Sequence, residues 1–169
     1  MKFLRPDLHI ERLTEVDFAP WCKIGIRCVF VDLDNTISPW RQTRITEDAS
    51  TMIAKAREAG LIVALFTNAP EERAQEAAWN AGIGYYARAM KPLPFMIKKA
   101  MAELSVKPRE TMIIGDQVFT DVLAGKLAGC RTVLTSPLSA REFSGTKVLR
   151  FLERFIVGRK LVFQENPNR

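Results

Sequence analysis

The stretch Cys28-Val29-Phe30-Val31-Asp32-Leu33-Asp34-Asn35-Thr36 constrains this chain more than any other. Four apolar residues run straight into two carboxylates one residue apart. An uninterrupted apolar run of this length suits a strand covered on both faces, as in a parallel sheet. Two like charges cannot be buried together without partners, so the carboxylates must lie where the strand leaves the core. In open α/β sheets that edge opens into the ligand crevice. Asp32 and Asp34 are therefore expected at a mouth, close enough to hold one divalent cation. A rival reading, the start of a calcium loop, needs Gly at the sixth position and Glu at the twelfth. Those positions hold Ile37 and Thr43, so that reading fails.

The rest of the chain alternates strand and helix. Residues 1–27 read as a lead-in packed on the core, with a short helix at Ile10–Glu15. Strands are expected at Cys28–Leu33, Leu61–Phe66, Tyr85–Ala87, Thr111–Ile114 and Thr132–Thr135. Helices are expected from Thr46, an N-cap, to about Ala59; from Pro70 to Ala81; from Pro92 to Leu104; from Val118 to Ala128; and over Thr146–Val157. This order predicts an α/β fold with a doubly wound, mostly parallel, five-stranded sheet. The main domain is expected over 28–158, including a C-terminal basic helix, with a tail at 159–169.

Composition narrows the function. The 169 residues suit one core. The longest apolar run, Leu61–Phe66, is far shorter than the ~20 residues of a membrane span. No signal-peptide core follows Met1, so the expected location is cytoplasmic. Three cysteines without a Cys-x-x-Cys pair argue against a disulfide framework or structural zinc. With His9 as the single histidine, Ser-His and Cys-His mechanisms have little support, and His9 reads as a surface or packing residue. The net charge of +6 is concentrated at the end, where residues 141–169 carry seven Lys/Arg against three Asp/Glu. Such basic tails bind anionic lipid, nucleic acid or nothing.

Three further strand ends carry chemistry. Thr67-Asn68 sets a hydroxyl and an amide before a helix start, a natural oxyanion site. Lys91 follows the third strand, where its ammonium can neutralise a phosphoryl oxygen or a crowd of carboxylates. Taken singly, Lys91 reads as a solvated surface lysine. Gly115-Asp116 through Asp121 repeats the apolar-to-acid pattern, and Gly115 permits close backbone approach.

Together these motifs resemble the haloacid dehalogenase superfamily of phosphotransferases. The resemblance implies a Rossmannoid fold and a Mg2+-dependent phosphatase with an aspartyl-phosphate intermediate. It implies Asp32 as nucleophile and Asp34 as general acid/base, with Thr67, Asn68 and Lys91 on the phosphoryl group. Asp32, Asp116 and the main-chain carbonyl of Asp34 would bind Mg2+, and Asp121 would orient Lys91 and the metal's water shell. Phe3-Leu4-Arg5-Pro6-Asp7, Trp40 after the first motif, and Gly115-Asp-Gln-x-x-Thr-Asp121-Val-Leu-Ala-Gly125 resemble the YqeG-type branch, related to mitochondrial phosphatidylglycerophosphate phosphatases.

Members of this superfamily often insert a cap over the site. Leu61 comes 27 positions after Asp34, and Lys91 comes 24 after Thr67. Neither interval has room for a cap domain. An open mouth admits a phosphate carried on something large, and lipid head groups, nucleic-acid ends and phosphoproteins all qualify; the resemblance to the YqeG-type branch makes dephosphorylation of phosphatidylglycerophosphate the leading expectation. A soluble sugar phosphate, nucleotide or nucleic-acid end stays as an alternative, as does a non-catalytic Mg2+- or phosphate-binding module. Arg150, Arg154, Arg159 and Lys160 flank apolar residues at helical spacing, which reads first as a helix packed on the sheet with a solvated basic side and, as the functional alternative, as peripheral contact with an anionic membrane. Trp40 reads as a candidate for a lipid interface, and Trp21 and Trp79 as packing residues.

Overall fold

The computed structural model describes residues 4–139. One sheet holds β1 (Leu8–Ile10), β2 (Cys28–Val31), β3 (Ile62–Phe66), β4 (Gly84–Tyr86), β5 (Thr111–Gly115) and β6 (Arg131–Thr135). The spatial order is β1-β6-β5-β2-β3-β4, and every neighbouring pair is parallel. From β2 the chain winds outward to β3 and β4, then returns to place β5 and β6 on the other side of β2. The winding reverses between β2 and β5, which is where a doubly wound sheet opens its crevice.

The helices are α1 (Ala19–Lys23), α2 (Glu47–Glu58), α3 (Glu71–Ala81), α4 (Phe95–Glu103) and α5 (Leu123–Ala128). Alternation along β2 sorts them into two layers. Val29 and Val31 share a core with Trp21, Met52, Ile53 and the α3 alanines Ala74, Ala77 and Ala78. Cys28 and Phe30 point the other way, into a core with Ile97, Ala100, Met101 and Ala128. All four β2 residues are fully buried, as an all-apolar central strand requires. Phe30 packs against Phe66 and Tyr86 at centroid separations of 5.4 and 5.7 Å. Helix α2 starts where Thr46 Oγ1 accepts the Ala49 N–H at 3.2 Å.

The sheet has six strands, not five. The additional strand, β1, lies in the segment read as a lead-in, and the helix expected at Ile10–Glu15 is a single tight turn at Leu13–Glu15 followed by α1. β1 is three residues long and pairs with residues 133–135. Its partner is remote in sequence, so no local pattern announces it. Asp7 fastens this edge. Its Oδ2 accepts from Thr132 N at 2.8 Å and Thr132 Oγ1 at 3.0 Å, and pairs with Lys126 at 2.7 Å. Burial pushes the Asp7 carboxyl up, but Lys126 and the Thr132 donors outweigh it and hold it below its usual range.

Other boundaries move for local reasons. The helix expected from Pro92 begins at Phe95. The helix expected over Val118–Ala128 opens with a wide, π-type turn at Val118–Val122 before α5. Trp79, expected to pack, is 84% exposed, because small alanines form the face of α3 that meets the sheet. Trp21 is buried in the core. The expected helix at 146–157 and the basic tail lie outside the described residues. Among the described residues no helix is long and apolar enough to cross a membrane.

Candidate active site

The polar residues at four strand ends converge on the crevice. Asp32 directly follows β2, and its N–H still donates to Ile114 O at 2.9 Å, so β5 fixes its backbone. Asp116 directly follows β5. Asp121 comes back to them from the π-type turn, whose extra residue per turn re-aims the side chain. Carboxylate oxygens of Asp32, Asp116 and Asp121 lie within 4.8 Å of one another, and all three residues are buried. Gly115 makes this approach achievable. A Cβ there would sit 2.2 Å from Asp121 Cγ, far inside van der Waals contact. Asp121 Oδ2 also accepts the Gln117 N–H at 3.1 Å.

Lys91 is a buried ammonium, not a solvated one. Its Nζ lies 2.6 Å from both Asp32 Oδ1 and Asp121 Oδ1. Burial works against that charge, but Asp121 and Asp32 outweigh it and hold the ammonium above its ordinary range. Burial likewise pushes the Asp32 carboxyl up, to about 6, against the pull of Lys91. Asn68 secures the lysine's backbone: Lys91 N donates to Asn68 Oδ1 at 2.8 Å, and Asn68 Nδ2 donates to Lys91 O at 3.2 Å. The amide read from the sequence as an anion ligand is thus engaged by Lys91's main chain. Arg88 and Met90 both hold positive φ, 47° and 51°, in the loop that delivers Lys91. Hydrogen bonds from Arg88 N to Ala69 O and from Ala89 N to Thr67 O help hold that loop against the end of β3.

Thr67, directly after β3, is 1% exposed. Its Oγ1 accepts the Ala69 N–H at 3.1 Å, and the hydroxyl keeps its own proton to donate. A buried hydroxyl donor at the end of a strand suits an anion. Thr36 Oγ1 reaches Asp116 Oδ1 at 3.4 Å.

Asp34 stands apart from the acidic cluster. Arg73 grips it with two parallel bonds, NH1 to Oδ1 at 2.5 Å and NH2 to Oδ2 at 2.7 Å, and Arg41 N adds a third at 2.9 Å. Its carboxylate therefore points at Arg73, not into the group formed by Asp32, Asp116 and Asp121. The sequence reading missed Arg73. One signal was available: a cation in the first turn of α3 opposes the helix dipole, so another partner must hold it there. Trp40 packs under the Arg41 guanidinium, 4.5 Å from the ring centroid.

Three carboxylates thus cluster here, two of them paired with one ammonium, and the ligands they offer are oxygens only. A hard divalent cation such as Mg2+ fits this set, whereas zinc favours nitrogen and sulfur. A crevice holding such a cluster beside a buried hydroxyl donor is equipped to grip a phosphoryl group and attack it.

Comparison with known proteins points the same way. Residues 7–129 match the family model for haloacid dehalogenase-like hydrolases. A Bacillus subtilis protein named "Probable phosphatase YqeG" is 27% identical over 92% of this chain and 91% of its own length. The chloroplastic/mitochondrial phosphatidylglycerophosphate phosphatase 1 of Arabidopsis thaliana is 24% identical over 83% of this chain, which spans only 43% of that protein. In fold, the chain is similar to the cobalt-bound deoxy-D-mannose-octulosonate 8-phosphate phosphatase of Haemophilus influenzae. The TM-score is 0.53 at 16% identity, over 66% of this chain and 68% of the other.

Proposed function

This chain belongs to the haloacid dehalogenase-like hydrolases, and on that premise we propose that it hydrolyses phosphate monoesters through an aspartyl-phosphate formed on Asp32. The observation that carries the proposal is the buried group of Asp32, Asp116, Asp121 and Lys91 at the sheet's switch point. Asp32 Oδ attacks phosphorus, and the bond to the leaving alkoxide breaks. Asp34 gives that alkoxide its proton, then takes one from the water that hydrolyses the acyl phosphate. Thr67 and Lys91 hold the transferring oxygens, and Asp121 keeps Lys91 in place. Asp32, Asp116 and Asp121 are the residues that would hold Mg2+. When bound, the ion neutralises the repulsion between a carboxylate nucleophile and a phosphate dianion.

The substrate favoured is phosphatidylglycerophosphate, giving phosphatidylglycerol. Two observations support it: the similarity to the Arabidopsis phosphatase, and intervals between motifs too short for a cap. The decisive test is phosphate release from phosphatidylglycerophosphate in mixed micelles against a panel of soluble phosphomonoesters. Preference for the lipid is expected, with activity abolished by chelator and restored by Mg2+. Full activity in excess chelator would overturn the metal assignment. Preference for a soluble ester would move the substrate there. No turnover on any phosphoester would leave a binding module.

Arg73 gives a second test of the same chemistry. It holds Asp34 by both oxygens, and we propose that it sets the position from which Asp34 releases one of them to carry the leaving group's proton. Arg73→Ala is expected to lower kcat on an alkyl phosphate by about 10²-fold, the lower range for a positioned acid or base. The loss on p-nitrophenyl phosphate should be much smaller, since that leaving group departs without a proton. Added guanidinium should restore part of the rate. Equal losses on both esters would mean that Arg73 serves only the fold.

A further inference from the structure

The loop that delivers Lys91, with the first residue of α4, also carries three of the eight exposed large apolar side chains among the described residues. Met90, Leu93 and Phe95 are 47, 55 and 50% exposed within six residues, whereas Ile24, Ile62, Trp79, Leu127 and Leu138 are scattered. Met90 O accepts the Leu93 N–H at 2.9 Å, so the first two belong to one turn. Phe95 begins α4, and Lys98 and Lys99 follow on the same outward helical face, at i+3 and i+4. Ile97, Ala100 and Met101 occupy the opposite, buried face. No carboxylate side chain occurs between Glu76 and Glu103, while Arg88, Lys98 and Lys99 are all exposed. An apolar tip backed by cations is the pattern of interfacial membrane binding: apolar side chains enter the acyl boundary and lysines meet anionic headgroups.

We propose that residues 88–99 form a docking tip for an anionic lipid surface, which sets the mouth of the crevice against the headgroups. This rests on the reading of the substrate as a phospholipid. The tip lies beside the site in the chain itself, since Lys91 Nζ sits among the reactive carboxylates while Met90 and Leu93, one residue before it and two after, are exposed. A second copy of the chain is a poor occupant, because Arg88, Lys98 and Lys99 would face their own counterparts. Charge complementarity favours a negatively charged bilayer. Lys99 lies 3.9 Å from Glu103, an exposed pair too weak to withdraw it from a headgroup.

The experiment is sedimentation of the full chain with phosphatidylcholine vesicles, with and without phosphatidylglycerol. The wild type is expected to bind the anionic vesicles, more weakly as salt rises. Leu93→Glu with Phe95→Glu should lower that binding by at least about tenfold, while hydrolysis of p-nitrophenyl phosphate stays within about twofold of wild type. Lys98→Gln with Lys99→Gln should weaken binding only where phosphatidylglycerol is present. In Phe95→Trp, emission should shift to the blue on vesicles and be quenched by brominated acyl chains. Unchanged binding by the Glu variant, or unshifted emission at position 95, would overturn the proposal. So would loss of a dimer in that variant by light scattering, which would make the face a protein interface. Micelle assays keep the two readings apart. Lipid hydrolysis in micelles without vesicle docking removes the tip alone; docking without lipid hydrolysis removes the substrate alone.

Discussion

Asp32→Asn is expected to lower turnover by about 10⁴-fold or more, the scale on which enzymes lose activity with their nucleophile. An amide of the same shape cannot attack phosphorus, and nothing else at the site replaces it. The fold should survive. Lys91 keeps Asp121 at 2.6 Å, so the ammonium does not become an unpaired buried charge. The variant should also show how stability depends on pH in chelator. Burial, countered by Lys91, leaves the Asp32 carboxyl raised from 3.8 to about 6. The native state therefore binds the Asp32 proton more tightly than the unfolded chain does. The stability this lends is fully present below pH ~4 and is lost as pH rises through about 6. Asn titrates nowhere in this window. Thermal midpoints should therefore favour the variant more at pH 7 than at pH 4. Retention of a tenth of wild-type activity would remove Asp32 from the nucleophile's role, and a parallel pair of pH profiles would contradict its raised proton affinity.

The second large effect is expected at Lys91. Lys91→Met keeps a long, unbranched side chain but removes the cation that lies 2.6 Å from both Asp32 and Asp121. Three carboxylates then remain within 4.8 Å of one another with no ammonium opposite them. Breaking a buried pair on one side costs about 3–5 kcal/mol, much of it from the charge left behind. We expect a loss of that order by denaturant unfolding in chelator, together with loss of activity. Mg2+ should then raise the thermal midpoint of the variant more than that of the wild type, because it would supply the positive charge that the substitution removes. A midpoint in chelator equal to wild type would show that Lys91 does not compensate them.

The parts of this architecture that the sequence made legible share one property: they are written locally. An apolar run ending in Asp32 marks both a buried strand and an exposed edge, and the same logic finds Thr67 after β3 and Asp116 after β5. Lys91 was harder. Its buried ion pairs depend on how the loop after β4 folds back over Thr67 and Ala69, which residue spacing does not state. β1 escaped because its identity lies in its pairing with β6. Arg73 escaped because its partner, Asp34, lies 39 positions away, and only its awkward place at a helix start hinted at a purpose. Trp79 misled because size suggests burial, whereas α3 meets the sheet through alanines.

The pairing of β1 with β6 also bears on how the chain assembles. During synthesis Leu8–Ile10 emerge first, yet the strand they join, Arg131–Thr135, emerges only after the other four strands are complete. Asp7 waits equally long for Lys126 and Thr132. The amino-terminal edge must therefore stay unpaired until the far side of the sheet exists, and among the described strands its pairing is expected to close last. Any nascent or truncated chain that stops short of residue 131 exposes that edge, together with the bare flank of β5, to proteases and to other chains.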